Sequence, residues 1–339
     1  MPKVSDIEFR DYKAIDSPGS LAGHGCTFLQ YFEYLIRDNY AELERSLLAN
    51  FDLKKIPERN ADSLIEGMLF VTEQDKKKKL KSKNYYECNA ACFILMFKSI
   101  FSSALYHKIS QPDTLSLTLH NYSHILQNML FDIDYLAELF RERTKCQAKQ
   151  NYQNYRKSGV HFFELHQMLR QTLYGQRTCH SFDDLEISAS IPVIRQLIEL
   201  RIRWAFGVLS FVDAKGNQQP LALSRLFEVL RKHKSTIQTP IKLENIERIY
   251  KWANITVHSG CVDHTWVPLF LETVLKELSM GKGPTESGFD VKNGIVTDRA
   301  TIASIHQELA NDIPQGCLLR RKGRPRMLYT CEPQCILTH

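Results

Sequence analysis

The sequence predicts a mainly α protein built of multi-helix bundles, with a small basic α+β unit at its C-terminal end. Three observations carry this. Apolar residues recur at helical spacing through most of the 339 residues, as in Ile191, Ile194, Ile198, Ile202 and Ala205. Residues from Leu115 to about Lys149 contain neither Pro nor Gly. Clear strand alternation is confined to short runs near 208–221 and 316–331.

Taken in order, residues 1–26 are polar and rich in turn formers such as Ser17, Pro18, Gly19 and Gly23. The N-terminal segment has no apolar core of the kind a signal peptide carries. Helical periodicity runs from about Phe28 to Ala49, and a short helix is expected at Ala61–Val71. The lysine-dense run Lys76–Lys83 reads as a solvated linker. Asn89–Tyr106 is strongly apolar, but Lys98 sits near its middle, and a buried core helix suits it better than a membrane span. Pro112-Asp113 breaks the chain before the Leu115–Lys149 pattern, which reads as one long helix or two with a kink. A further helix is expected at Gly159–Leu173. Residues 175–187 read as a loop and place a domain boundary.

The second unit, 188–281, opens with a helix at Ser190–Phe206. A turn follows at Asp213-Ala-Lys-Gly216-Asn217, then helices near 222–233, 240–258 and 265–280. Gly281–Gly288 reads as a linker. The third unit, 282–339, has a helix at Asp298–Asn311 and two short apolar runs, Cys317–Leu319 and Met327–Tyr329, expected to pair as a hairpin. Between them stands Arg320-Arg321-Lys322-Gly-Arg324-Pro-Arg326. Its Lys-Gly-Arg-Pro-Arg resembles an AT-hook core, and its strand-like flanks favour a basic turn that touches phosphates.

The net charge is +6 and the apolar share 43%. That is ordinary globular composition with a mild bias towards polyanionic partners. Nine scattered cysteines, an odd number, point to reduced thiols and a cytoplasmic location. The chain contains no phosphate-binding glycine loop and no nucleophile elbow, so the common nucleotide-binding and hydrolase sites are not expected. Two Cys/His groups, His258-Cys261-His264 and Cys317 with Cys331, Cys335 and His339, lack paired zinc-knuckle spacing. No metal or other cofactor is therefore expected.

The chemistry gathers in Thr239–Gly260. Thr239 and Pro240 suit a helix start, and Leu243, Ile246, Ile249, Tyr250, Ala253 and Val257 form its apolar face. Glu247, Lys251, Asn254 and His258 fall on an opposite stripe, and Ser259-Gly260 closes the helix. An amide and an imidazole four residues apart can reach one surface. The plainer reading is that both satisfy backbone groups at a helix end.

The segment Trp252-Ala-Asn254-Ile-Thr-Val-His258-Ser-Gly260, together with the helix IPVIRQLIELRIRWAFG from Ile191 to Gly207, resembles the HEPN superfamily of small helical bundles over about residues 188–280. The resemblance implies an RNA-targeting protein, an effector of a prokaryotic defence or toxin system, and pairing of two copies. Ribonucleolytic members carry an Arg directly before the polar residue. Here that position is Ala253, so the chain resembles the branch with Asn-x-x-x-His alone, and metal-independent RNA cleavage stays open. Arg248 and Arg203 are the nearest substitutes by pattern. Arg156 and His161 show the Arg-x-x-x-x-His spacing elsewhere. Two function classes follow. One is an RNA- or DNA-binding helical protein. The other is a non-catalytic interaction or dimerisation module with a basic tail, working with a second copy or a partner protein.

Overall fold

The computed structural model describes residues 40–102, 115–144, 186–212, 217–259, 263–281, 284–285, 288–289, 294–311, 318–320 and 336–338. Helix makes up 76% of this region, in ten helices, and no helix among the described residues is long and apolar enough to cross a membrane. The chain gathers into two compact units, Met1–Ser190 with Ile255–Phe270, and Ile191–Asn254 with Leu271–His339. Residues after Gly281 fall in the second of these.

The first unit contains α1 (Tyr40–Asn50), α2 (Ala61–Met68), α3 (Glu73–Lys79), α4 (Lys83–Ser102) and α5 (Leu115–Thr144). Residues 89–102 of the apolar run lie in α4, where Tyr86, Cys92, Phe93 and Phe97 are buried while Leu95 and Lys98 face solvent. It is a core helix with one wet edge. Phe51, Tyr86 and Phe140 join α4 and α5 through ring contacts of 5.0–6.4 Å. Of the 115–149 pattern, Leu115–Thr144 forms one helix of 30 residues, and 145–149 lie outside the described residues. Asn60 caps α2 by accepting from the Ser63 N–H at 2.8 Å.

The lysine run forms a helix, contrary to its reading as linker. Thr72 caps α3 through the Asp75 N–H at 3.1 Å, with Glu73 and Asp75 in the first turn and four lysines in the last. Both charges complement the helix dipole. Lys79 then pins α3 to the end of α2, donating to the carbonyls of Glu66 (2.5 Å) and Leu69 (2.6 Å).

Residues 263–270 complete this unit. Thr265 donates its N–H (2.6 Å) and hydroxyl (2.8 Å) to the buried Asp132 of α5. The Trp266 indole donates to Asn89 at 3.0 Å, while its ring meets Phe93 at 5.5 Å. His264 stacks on Trp266 at 4.7 Å and is itself buried.

The second unit is built on α6 (Glu186–Phe206), α7 (Leu223–Lys232), α8 (Leu243–Ser259), α9 (Trp266–Met280) and α10 (Arg299–Asn311), the unit boundary passing within α8 and α9. The predicted α6 stripe is buried at all five positions. Gly207 ends α6 at φ 65°, and the Val208 N–H returns to the Arg203 carbonyl at 2.9 Å. Positive φ suits glycine because it has no Cβ to clash. The chain reverses there into β1 (Ser210–Val212), which pairs with β2 (Gln218–Pro220) as the expected hairpin.

The other edge of β1 takes β6 (Leu318–Arg320), antiparallel, so the 317–319 run pairs with β1. Its expected partner, 327–329, lies outside the described residues. Residues 281–288, read as linker, contain β3 (Pro284–Thr285), which pairs with β4 (Gly288–Phe289). β5 (Val296–Asp298) and β7 (Ile336–Thr338) run parallel, and Gln238 exchanges backbone hydrogen bonds of 2.8 and 3.0 Å with Val296. Glu308 of α10 holds Lys232 (2.8 Å) and His233 (2.7 Å) at the end of α7.

Candidate functional site

α8 begins at Leu243, three residues after the expected start. Gln238 is committed to Val296, and the Thr239 hydroxyl donates to the Ile241 carbonyl at 2.6 Å, so this stretch leads into the helix without joining it. Leu243, Ile246, Ile249 and Ala253 are buried as predicted; Trp252, outside the predicted stripe, is buried as well. The opposite stripe is less uniform than its spacing suggests. Glu247 is buried, and its carboxylate accepts from Arg231 of α7 and from Lys251 at 2.7 Å. Burial raises the Glu247 pKa, and the hydrogen bonds and charges of Lys251 and Arg231 more than offset this, holding it below the usual value.

A cleft of about 400 Å³ opens between α6, the first turns of α7 and α8. Arg203 forms one wall and is held by four hydrogen bonds. Two go to Glu199 (3.2 and 2.9 Å), and the others go to the carbonyls of Leu209 (3.0 Å) and Leu221 (2.6 Å). The reversal at Gly207 brings Leu209 within its reach. Glu247, Tyr250, Lys251 and Asn254 form the facing wall, with Leu221, Leu223, Ser224 and Phe227 between them. Arg195 lies 5.5 Å from the Tyr250 ring centroid, and the Phe227 ring lies 6.2 Å from Tyr250 at 46°. Asn254 is half-buried, and its amide makes no hydrogen bond with a described residue.

Of the predicted site residues, Asn254 lines the cleft, and Arg203, the substitute suggested by pattern, lines it too. Arg248 is half-buried and is not part of the lining. His258, one helical turn beyond Asn254, is exposed and makes no hydrogen bond with a described residue. Arg156, His161, Arg321, Lys322, Arg324 and Arg326 lie outside the described residues, and Arg320 is placed as the last residue of β6. Among the described residues, no group of His, Cys, Asp and Glu is arranged to hold a metal ion. Cys88 and Cys92 are free thiols whose pKa values burial raises, strongly so for Cys92.

A second charged surface, in the first unit, goes beyond what a solvated linker would provide. Residues 54–83 carry nine of the cations and only five carboxylates, four of the six net positive charges of the chain. Lys79 is used structurally, and Lys76 lies 5.3 Å from the Phe70 ring centroid. Lys83 donates to the Asp52 carbonyl at 2.8 Å, which brings Lys54 and Lys55 beside the start of α4. Lys54, Lys55, Lys77, Lys78 and Lys81 are exposed and have no carboxylate partner among the described residues. The signal in the sequence is the charge imbalance of this segment, which its resemblance to a linker conceals.

No protein-family model, curated protein or solved structure matches the chain.

Proposed function

We propose that the protein binds nucleic acid, with the exposed lysines of α3 and its neighbouring turns making the phosphate contacts. The observation that carries this is that Lys54, Lys55, Lys77, Lys78 and Lys81 are exposed with no carboxylate partner among the described residues, two of them on a helix that is itself capped and pinned. A lysine with no carboxylate partner gives up little on meeting a phosphate, and each contact releases condensed counterions. Arg320, Arg321, Lys322, Arg324 and Arg326 would add to the same electrostatic term. The resemblance of Trp252–Gly260 to HEPN domains supports RNA over DNA, and with it a role as an effector in prokaryotic defence. Ala253 supplies no cation beside Asn254, so the reading is one of binding and does not extend to cleavage.

The test is an affinity series against salt with single-stranded RNA and DNA. Affinity should fall steeply with salt. Changing the five lysines to Gln should flatten the log–log slope by about 0.9 for each duplex phosphate no longer neutralised, or about 0.7 on single strands. An affinity insensitive to salt in the unaltered protein would refute the reading.

A further inference from the structure

We infer that the lysine surface of the first unit takes the phosphate backbone of a double helix, without regard to base sequence, in preference to a single strand. This rests on the nucleic-acid reading above and names the form of nucleic acid that the surface selects.

The cations available there read charge. Arg59 is the one arginine of residues 54–83, and its guanidinium is committed to Glu87 at 2.8 Å. The exposed cations without a carboxylate, Lys54, Lys55, Lys77, Lys78 and Lys81, all end in ammonium groups. An ammonium meets phosphate as a point charge and lacks the planar fork of arginine. Contacts to phosphate fix position and carry no sequence information.

The same surface presents no ring for a base to stack on. Proteins that grip single strands combine a basic groove with aromatic side chains that take the bases. Phe70 is the one aromatic of residues 54–83, it is half-buried, and the Lys76 Nζ lies over its ring at 5.3 Å from the centroid. Tyr85 and Tyr86, which follow at the start of α4, are buried. α3 has no buried residue, so it stands on the surface as a ridge and not as the wall of a groove. Lys77 and Lys78 precede Lys81 by four and three positions, which gathers three ammonium groups about one turn apart on that ridge.

Charge density then decides between the two forms. A duplex carries one charge for about every 1.7 Å of its axis, against about 3.4 Å for one strand, and each neutralised phosphate releases about 0.9 of a counterion on duplex against about 0.7 on a single strand. For about five contacts the log–log salt slopes differ by about one, which is about tenfold in affinity between about 1 M and about 0.1 M salt.

The test compares the full chain with a variant in which the five lysines are changed to Gln. Affinities are measured at about 0.1 M salt for GC-rich and GC-poor duplexes of DNA and of RNA, and for the single strands of each. The loss caused by the substitutions should be about tenfold greater on each duplex than on its strands. Between GC-rich and GC-poor duplexes it should differ by less than the roughly fivefold that the weakest base-specific contact gives. Equal urea midpoints would show that the variant folds, as exposed positions allow. A loss as large on the strands as on the duplexes, or one that depends on sequence beyond that limit, overturns the inference and leaves the nucleic-acid reading standing. No loss on any of them removes this surface from nucleic-acid binding and overturns the inference and the assignment of the phosphate contacts together. If the unaltered protein binds none of them at any salt, the nucleic-acid reading falls and takes the inference with it.

Discussion

Gly67 offers the most direct test of how the first unit is packed. It lies in the last turn of α2, facing α4, and a Cβ built there would stand 2.2 Å from the Cys88 Sγ and 2.9 Å from the Cys88 Cβ. Ordinary contact begins near 3.4 Å, so Gly67→Ala forces the two helices apart or drives Cys88 from its place. Overpacking of this kind costs about 1–3 kcal/mol. Replacing a helical glycine by alanine returns about 1 kcal/mol of propensity. The net expectation is a loss of up to about 2 kcal/mol, the difference of those two figures, read as a lower urea midpoint at unchanged slope and as faster amide exchange in α2 and α4. Cys88→Ala removes the sulfur, so the glycine substitution should cost at least about 1 kcal/mol less in that background, a coupling that a double-mutant cycle resolves. Should Gly67→Ala stabilise the protein as it would an exposed helix, or should the two substitutions prove additive, the close approach of α2 and α4 is not as described.

Other perturbations reach other parts of the molecule. Asp132→Ala strips the buried Thr265 N–H and hydroxyl of their acceptor; thermal denaturation should show a loss of about 1–3 kcal/mol for each unsatisfied group, and a neutral result would mean that residues 263–270 are held otherwise. Gly207→Ala puts a Cβ at φ 65° and should lower stability by about 1–2 kcal/mol, measured by urea unfolding. The pKa of Glu247 is lowered on folding, so its contribution is complete above the unfolded value of about 4.3 and is lost as pH falls through the lower folded value. Glu308 and Asp298 shift the same way, and the second unit should therefore weaken below about pH 4. Glu247→Gln should shallow that acid decline, and an unchanged profile would remove Glu247 from the account.

The helices were legible where one face meets a core. The α6 stripe and the approximate extents of α7, α9 and α10 follow from apolar spacing, because burial of one face is a local pattern. α3 escaped because a seven-residue helix with no buried residue has no stripe, and its signals were the Thr72 cap and the order of its charges. Glu247 was placed on the solvent side because helical spacing records only its own helix, whereas its burial depends on Arg231 sixteen residues earlier. The pairing of β6 with β1 joins segments over a hundred residues apart, which no local rule anticipates. For the cleft, Asn254 was singled out in the sequence and lies on its wall, while the facing wall of Arg203 with Leu221 comes from α6 and the turn before α7, which the spacing within α8 does not record.

The seating of Trp266 against Asn89 has a consequence for how the chain is made. The two residues are separated by 177 positions. At roughly 5–20 residues per second on the ribosome, α4 emerges about 9–35 seconds before the indole that covers Asn89 and Phe93. During that interval the apolar surface of the first unit is open at this point while most of the second unit is still being synthesised. The nascent chain is thus a client for holding chaperones over a definite window. Substitutions that destabilise α8 or α9 should then lower the yield of soluble protein by lengthening the exposure of α4, a helix they do not alter.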